Sequence, residues 1–242
     1  MNDFLTPLLE FKEELNDYCP FIHKSFVAEP VLEGLTKRLI QQHVDAGFCT
    51  RGTSQYVSTA VVVVKPNRSA DTKLEKLREY LSRNFIQAKL KCMDDMIQEL
   101  EDHFTFRLVV DFRKLNKRVI ADPYPIPRAQ ELNRIAKKKV YNTSLDLKYG
   151  FGALGFYRDN SKFMAAITPF GIFIPKRLGF GGSNGPAYMQ RLSDYVYKDL
   201  GDACVYIDEV IIASSDWISH LEVLEKYFKA RKMLNSRLLL TQ

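Results

Sequence analysis

Long hydrophobic runs are missing from this chain. Stretches such as Ala60 to Val64 are far too short to span a bilayer. A secretory leader is missing as well, because Met1-Asn2-Asp3-Phe4 carries an acid where such a leader carries bases. Cysteine is scarce: Cys19, Cys49, Cys92 and Cys204 lie far apart, with no CxxC spacing and no adjacent histidine pair. That argues against a zinc site and a disulfide framework, and fits free thiols in a reducing compartment. No internal repeat and no low-complexity linker interrupts the sequence. These absences predict a soluble, intracellular protein, cytoplasmic or nuclear, neither secreted nor bound to a membrane.

What is present is ordinary for a globular chain. Apolar residues make up 46% and charged residues 26% of 242 positions, enough for one large domain or two modest ones with a sizeable core. The formal charge of +6 leans towards polyanionic partners, a weak signal at this magnitude.

Residues 1–30 read as an arm broken by Pro7, Pro20 and Pro30, with a short helix near Leu8 to Leu15. Val31 to Ala46 carries Leu32, Leu35, Leu39, Ile40 and Val44 at helical spacing and stops at Gly47. The β-branched stretch from Ser54 to Val64 predicts a strand halted by Pro66. Apolar stripes over 68–104 predict two amphipathic helices, followed by a strand from Phe106 to Asp111. Prolines at 123, 125 and 127 force an extended segment, and a helix ending near Lys138 follows.

The second half predicts a strand from Val140 to Leu147 and strands over 163–168 and 172–178 joined by Pro169-Phe170-Gly171. A glycine-rich loop, Gly179 to Gly185, leads into a helix from Pro186 to Leu200, with Ser183 or Asn184 as its cap. A last helix from about Ser219 to Met233 presents Leu221, Leu224, Tyr227 and Phe228 on one face. This order predicts an α+β fold, a mostly antiparallel sheet backed by helices.

Between the last two helices lies Val205-Tyr206-Ile207-Asp208-Glu209-Val210-Ile211-Ile212, two apolar runs around adjacent acids. The pattern predicts a hairpin with Asp208 and Glu209 at its tip. An isolated Asp-Glu pair is more often a solvated turn. Asp146, however, ends the strand that begins at Val140. If the two strands are neighbours, three carboxylates meet at one end of a sheet. Such a cluster can hold two divalent cations roughly 3.5–4 Å apart for in-line displacement at phosphorus. Lys65 and Arg107 are candidate triphosphate contacts; each alone reads more readily as a solvated strand residue.

Several ordered blocks then carry a resemblance. Leu108-Val109-Val110-Asp111-Phe112-Arg113-Lys114-Leu115-Asn116 resembles "VDYRxLN", and Tyr124 to Pro127 reads "YPIP". Ser144-Leu145-Asp146-Leu147-Lys148-Tyr149-Gly150-Phe151 resembles "LDLxxGY", and Thr168 to Gly171 reads "TPFG". Leu178 to Gln190 resembles "LPFGLxNAPxxFQ", and Tyr206-Ile207-Asp208-Glu209 stands where "YxDD" is usual. From about residue 35 to 233 the chain resembles the fingers and palm of a reverse transcriptase of the long-terminal-repeat retrotransposon type.

The resemblance implies a right-hand polymerase-like fold: an arm over 1–30, a fingers-like region over 31–139 with a helical insertion at about 68–105, and a palm-like region over 140–242. It implies metal-dependent nucleotidyl transfer to a primer 3′-hydroxyl, with Asp146, Asp208 and Glu209 as the catalytic acids. Mg²⁺, or Mn²⁺ in its place, would be held by these three and by the Leu147 carbonyl. Lys65, Arg107, Gly150, Phe151, Phe180, Gly181 and Gln190 would line or support the nucleotide site, Phe151 as the gate against a 2′-hydroxyl. The implied partners are deoxynucleoside triphosphates and an RNA or DNA template–primer duplex, bound through phosphates and shape.

The chain also departs from the pattern. Glu209 replaces an aspartate, Gly179 a proline and Gly182 a bulky residue, while Gly152 and Ala153 replace a polar pair. No thumb, ribonuclease H, protease or integrase motif is found in this sequence, and a partner chain that supplies a thumb is one expectation. Two readings stand at this stage: a polymerase domain weakened by Glu209 and truncation, and a non-catalytic transposon-derived remnant or nucleic-acid or protein-binding module.

Overall fold

The structure, a computed structural model, describes residues 10–25, 30–64, 95, 97–98, 101, 104–137, 139–147, 151–201 and 203–240. The chain divides into two compact units interleaved in sequence. The first comprises Met1–Asn16, Arg118–Asn160 and Arg177–Gln242; the second comprises Asp17–Lys117 and Ser161–Lys176. Residues 118–139 fold with the first unit and 161–176 with the second.

In the second unit, β2 (Phe21–Ile22), β3 (Cys49–Arg51), β4 (Tyr56–Val64), β5 (Phe106–Val110), β8 (Ala165–Thr168) and β9 (Gly171–Pro175) form one sheet. β4 pairs in parallel with β2 and β8 and antiparallel with β5. Helix α1 (Pro30–Asp45) places Leu35 and Leu39 in a cluster with Ile97, Phe104 and Phe106. Ile40 packs with Cys49 and Phe173. As expected, α1 stops at Gly47, which adopts φ +73°. The amides of Gly47 and Phe48 bond back to the carbonyls of Val44 and His43, a Schellman ending that favours glycine. A short helix, α2 (Arg113–Asn116), follows β5.

Most of the expected helical pair over 68–104 lies outside the described residues. Its end is helical at Asp95, Ile97, Gln98 and Glu101. Ile97 is buried, and Glu101 pairs with Arg38 of α1 at 3.0 Å. These residues cover α1.

The first unit is built on an antiparallel sheet of β10 (Ala203–Tyr206), β11 (Glu209–Ser214) and β6 (Tyr141–Asp146), in that order. Helices α3 (Ala129–Ala136), α4 (Gly185–Tyr197) and α5 (Trp217–Leu240) pack against it. Alternation separates the two faces of this sheet. Val210 and Ile212 are fully buried beside their partners Leu145 and Thr143, whereas Ser144, Asp146 and Glu209 are exposed.

Three sequence expectations need correction here. The arm carries a strand rather than a helix over its described part: β1 (Glu10–Phe11) pairs in parallel with β7 (Gly155–Phe156), and Leu15 bridges Val119. Burial of Phe11, Glu13 and Leu15 against exposure of Lys12 and Glu14 has period two, which an acid at the central inward position disguised. Helix α5 starts two residues early because Asp216 caps it, accepting a 2.9 Å bond from the Ser219 amide. Its inward face is His220, Val223, Tyr227 and Leu234, while Leu221 and Phe228 are exposed. Among the described residues, no helix is long and apolar enough to cross a membrane.

Candidate active site

The candidate site lies at the end of the β10–β11–β6 sheet, within the first unit. Tyr206 pairs with Glu209, so the two-residue turn is Ile207-Asp208 and Glu209 is the first residue of β11. The expected tip is therefore displaced by one residue. Ile207 adopts φ +56°, a region that a β-branched side chain rarely enters. A right-handed strand twist demands such a turn in a tight hairpin, and glycine is its usual occupant.

Because Glu209 belongs to the strand, it stands directly opposite Asp146 of β6. The Leu147 amide donates to the Asp208 carbonyl at 2.8 Å, which brings the third acid to the same end of the sheet. Burial raises the Asp208 carboxyl above its usual range, and the charges of Asp146 and Glu209 raise it further. Ser144, two residues before Asp146 on the same face, donates to Glu209 Oε1 at 2.9 Å. Among the described residues, no group of three acids, histidines or cysteines is already gathered closely enough to hold a metal. The three carboxylates share one end of the sheet, as expected, without forming the expected cluster; one oxygen of Glu209 is taken by Ser144.

Helix α4 braces this hairpin. Asn184 stands at its cap position but makes no side-chain capping bond. Instead its amide accepts from the Asp122 N–H at 2.9 Å and donates to the Ile120 carbonyl at 2.8 Å, tying the proline-rich segment to the helix start. Arg191 donates to both carboxylate oxygens of Asp122, at 2.9 and 2.8 Å, with its guanidinium over the rings of Tyr124 and Tyr188. The glycine-rich loop runs back against Phe151, whose ring centroid is 5.2 Å from that of Phe180. Gly185 suits this contact, since a β-carbon there would meet the Phe151 ring at 3.2 Å.

The sequence pattern described as reverse transcriptase (RNA-dependent DNA polymerase) matches residues 98–238, more than half the chain. The chain belongs to the reverse transcriptase family. It is 35% identical over 136 residues to the retrovirus-related Pol polyprotein from transposon opus of Drosophila melanogaster, covering 54% of this chain and 14% of that protein. To the corresponding polyprotein from transposon gypsy it is 35% identical over 125 residues, 50% of this chain and 12% of the relative. The chain thus spans about one seventh of the length of the opus polyprotein. Among solved structures it is similar to prototype foamy virus protease–reverse transcriptase, with a TM-score of 0.68 at 20% identity over 90% of this chain and 25% of that one. The foamy viral protein in complex with an RNA/DNA hybrid gives a TM-score of 0.63 at 20% identity, over 89% and 24%. These likenesses support the polymerase-like α+β fold.

Within this reverse transcriptase domain, the expected site residues fall into three groups. Asp146, Leu147, Asp208 and Glu209 come together at the sheet end; Phe151, Phe180, Gly181 and Gln190 belong to the same unit. Arg107 is exposed on β5 of the second unit, opposite Val63. Lys65 and Gly150 lie outside the described residues. Phe180 is 72% exposed, suited to meeting a ligand, whereas Gln190 is fully buried and its amide is consumed by the hairpin. Gln190 thus faces the backbone of the hairpin rather than solvent. Sequence reading missed Ser144 and Ser193. Their spacings to Asp146 and Gln190, two along a strand and three along a helix, are the signals that place each on a shared face.

Reverse transcriptases use divalent metal ions, and the acids at the sheet end carry donors of the right type, though no three described groups are gathered around one point. The donors are hard oxygens. Like charges directly opposite across a ladder repel, and among the described residues no Lys, Arg or His side chain is ion-paired with Asp146, Asp208 or Glu209.

Proposed function

We propose that this chain performs metal-dependent nucleotidyl transfer: a primer 3′-oxygen attacks the α-phosphorus of a deoxynucleoside triphosphate, and the bond to the pyrophosphate leaving group breaks. The observation that carries this reading is the juxtaposition of Asp146 with the Ile207-Asp208 turn at one sheet end. Asp146 and Asp208, with the Leu147 carbonyl and Glu209, would hold Mg²⁺ or Mn²⁺. Such ions would supply Lewis-acid stabilisation of the transferring phosphoryl group and a lowered pKa for the hydroxyl.

The chain's own residues supply binding and orientation. Phe151 excludes a 2′-hydroxyl by contact with the sugar, and the exposed Phe180 with Gly181 forms the floor for the nucleotide; Gly150 is assigned there by the resemblance alone. For Lys65 and Arg107 a role toward the triphosphate rests on the family resemblance alone. The duplex partner is supported by foamy viral neighbours described as complexes with dsDNA and with an RNA/DNA hybrid.

Glu209 favours a second reading, a domain that binds nucleic acid with little catalysis, because Ser144 holds one of its oxygens. Primer extension on an RNA template with Mg²⁺ and with Mn²⁺ separates the two. Extension that is abolished by Asp146→Asn and increased by Glu209→Asp supports the polymerase. Duplex binding at low salt without extension, in both the native chain and Glu209→Asp, supports the binding module.

A further inference from the structure

Ile207 is a strained residue whose two backbone polar atoms are both claimed by side chains of one helix. Its amide donates to Gln190 Oε1 at 2.7 Å, and its carbonyl accepts from Ser193 Oγ at 2.8 Å. Gln190 is 0% exposed and Ser193 1% exposed. The other end of the Gln190 amide donates to the Val205 carbonyl at 3.1 Å and to Asp194 Oδ1 at 2.8 Å. Its orientation is fixed chemically, since Ile207 N–H can only donate and Val205 C=O can only accept. Asp194 Oδ2 in turn accepts from the Tyr124 hydroxyl at 2.7 Å. A chain of hydrogen bonds therefore runs from the proline-rich segment through Asp194 and Gln190 to the hairpin turn.

We propose that Gln190 and Ser193, steadied by Asp194 and Tyr124, are positioning residues that hold Ile207 at positive φ and so aim the Asp208 carboxylate. The inference rests on the metal-site reading above and extends it to residues that touch neither metal nor nucleotide. A positive-φ isoleucine is strained and persists only where its surroundings dictate it. Here the clamp acts on both sides of Asp208. Ser193 holds the carbonyl that precedes it, and the Leu147 amide holds its own carbonyl at 2.8 Å. With the α4 side of the clamp removed, Ile207 returns to negative φ and the Cα–Cβ bond of Asp208 swings away from Asp146.

The experiment measures Mn²⁺ binding by electron paramagnetic resonance on the full chain, alongside amide hydrogen exchange at residues 207–209 without metal. The variants are Ser193→Ala, Ser193→Thr, Gln190→Met and the double variant Ser193→Ala/Ile207→Gly. Ser193→Ala and Gln190→Met are expected to weaken Mn²⁺ binding by about tenfold and to speed exchange at 207–209. Ser193→Thr keeps the hydroxyl and is expected to bind as the native chain does. The decisive arm is the double variant. Glycine enters positive φ without strain, so Ile207→Gly is expected to restore most of the affinity lost in Ser193→Ala, which a packing role does not predict. Native-like Mn²⁺ affinity in both Ser193→Ala and Gln190→Met, or no rescue by Ile207→Gly, overturns the proposal. No Mn²⁺ binding by the native chain overturns the metal reading, and this proposal with it.

Discussion

Glu209 stands directly opposite Asp146 across the β11–β6 ladder, and Ser144, the diagonal neighbour, donates a 2.9 Å hydrogen bond to its carboxylate. Two acids are thereby held as a cross-strand pair by backbone hydrogen bonds that do not depend on any ligand. Glu209 is a strand residue with a fixed face, so the substitution of glutamate for aspartate lengthens a side chain whose root cannot shift to compensate. The extra methylene is what lets it reach back to Ser144.

Like charges facing each other across a ladder cost about 0.2–1 kcal/mol. In chelator, Asp146→Asn is therefore expected to raise stability by about 0.5 kcal/mol in urea unfolding. Millimolar Mg²⁺ is expected to stabilise the native chain and leave Asp146→Asn unchanged, as linkage requires of a site that only the folded state offers. A native chain whose urea midpoint ignores Mg²⁺ contradicts the site.

Removing the Ser144 hydroxyl releases Glu209. Ser144→Ala is expected to tighten Mn²⁺ binding by about threefold, in line with the ~0.5–1.5 kcal/mol net value of such a hydrogen bond. Titration followed by the paramagnetic signal measures it. A weaker affinity would instead mean that Ser144 orients Glu209 productively.

Glu13 carries a pH dependence of definite sign. Its side chain is 3% exposed, neither carboxyl oxygen has a hydrogen-bond partner, and burial followed by the Asp122 charge pushes its pKa up to about 8. The Glu13 charge also pushes the Tyr188 hydroxyl up, a smaller contribution than that residue's own burial. An unfolded glutamate titrates near 4.3, so between about pH 4.3 and 8 the folded chain holds the extra proton. Stability from this group is complete below that window and is lost as pH rises through it, by at most about 1.4 kcal/mol per unit. Urea midpoints across the window are expected to fall in the native chain and to flatten in Glu13→Gln. The same slope in both would remove Glu13 as its source.

Arg191 Nη2 donates to both oxygens of Asp122 while the guanidinium lies over Tyr124 and Tyr188, at 4.6 and 5.0 Å from the ring centroids. A lysine reproduces the charge and can contact the carboxylate, but it cannot stack a planar guanidinium on the two rings. Arg191→Lys is expected to cost about 1–3 kcal/mol in thermal or urea unfolding. A change within error would show that the segment from Asp122 to Pro127 is held by Asn184 and Tyr124 alone.

Much of the fold was legible because it follows from local rules. Helix α1 and its glycine stop, the β4 strand, the extended proline segment and the hairpin all follow from apolar spacing or backbone chemistry within a few residues. Helix α5 shows the limit. His220 takes an inward position that a hydrophobicity pattern assigns to Leu221, because its Nε2 meets Thr143 Oγ1 at 2.8 Å on a strand 77 residues away. Glu13 misled in the same way, as an acid at an inward strand position that made a period of two look helical.

The sequence by itself determined the family and the identity of the acids, since ordered blocks of residues such as Tyr206-Ile207-Asp208-Glu209 are properties of the chain. Only the tertiary structure decided which residue turns the hairpin, that Glu209 faces Asp146, and that Gln190 and Ser193 hold Ile207. Those relationships depend on strand register and on a helix 14 to 17 residues away in sequence. A shift of one residue in register exchanges the faces of a strand without altering its composition.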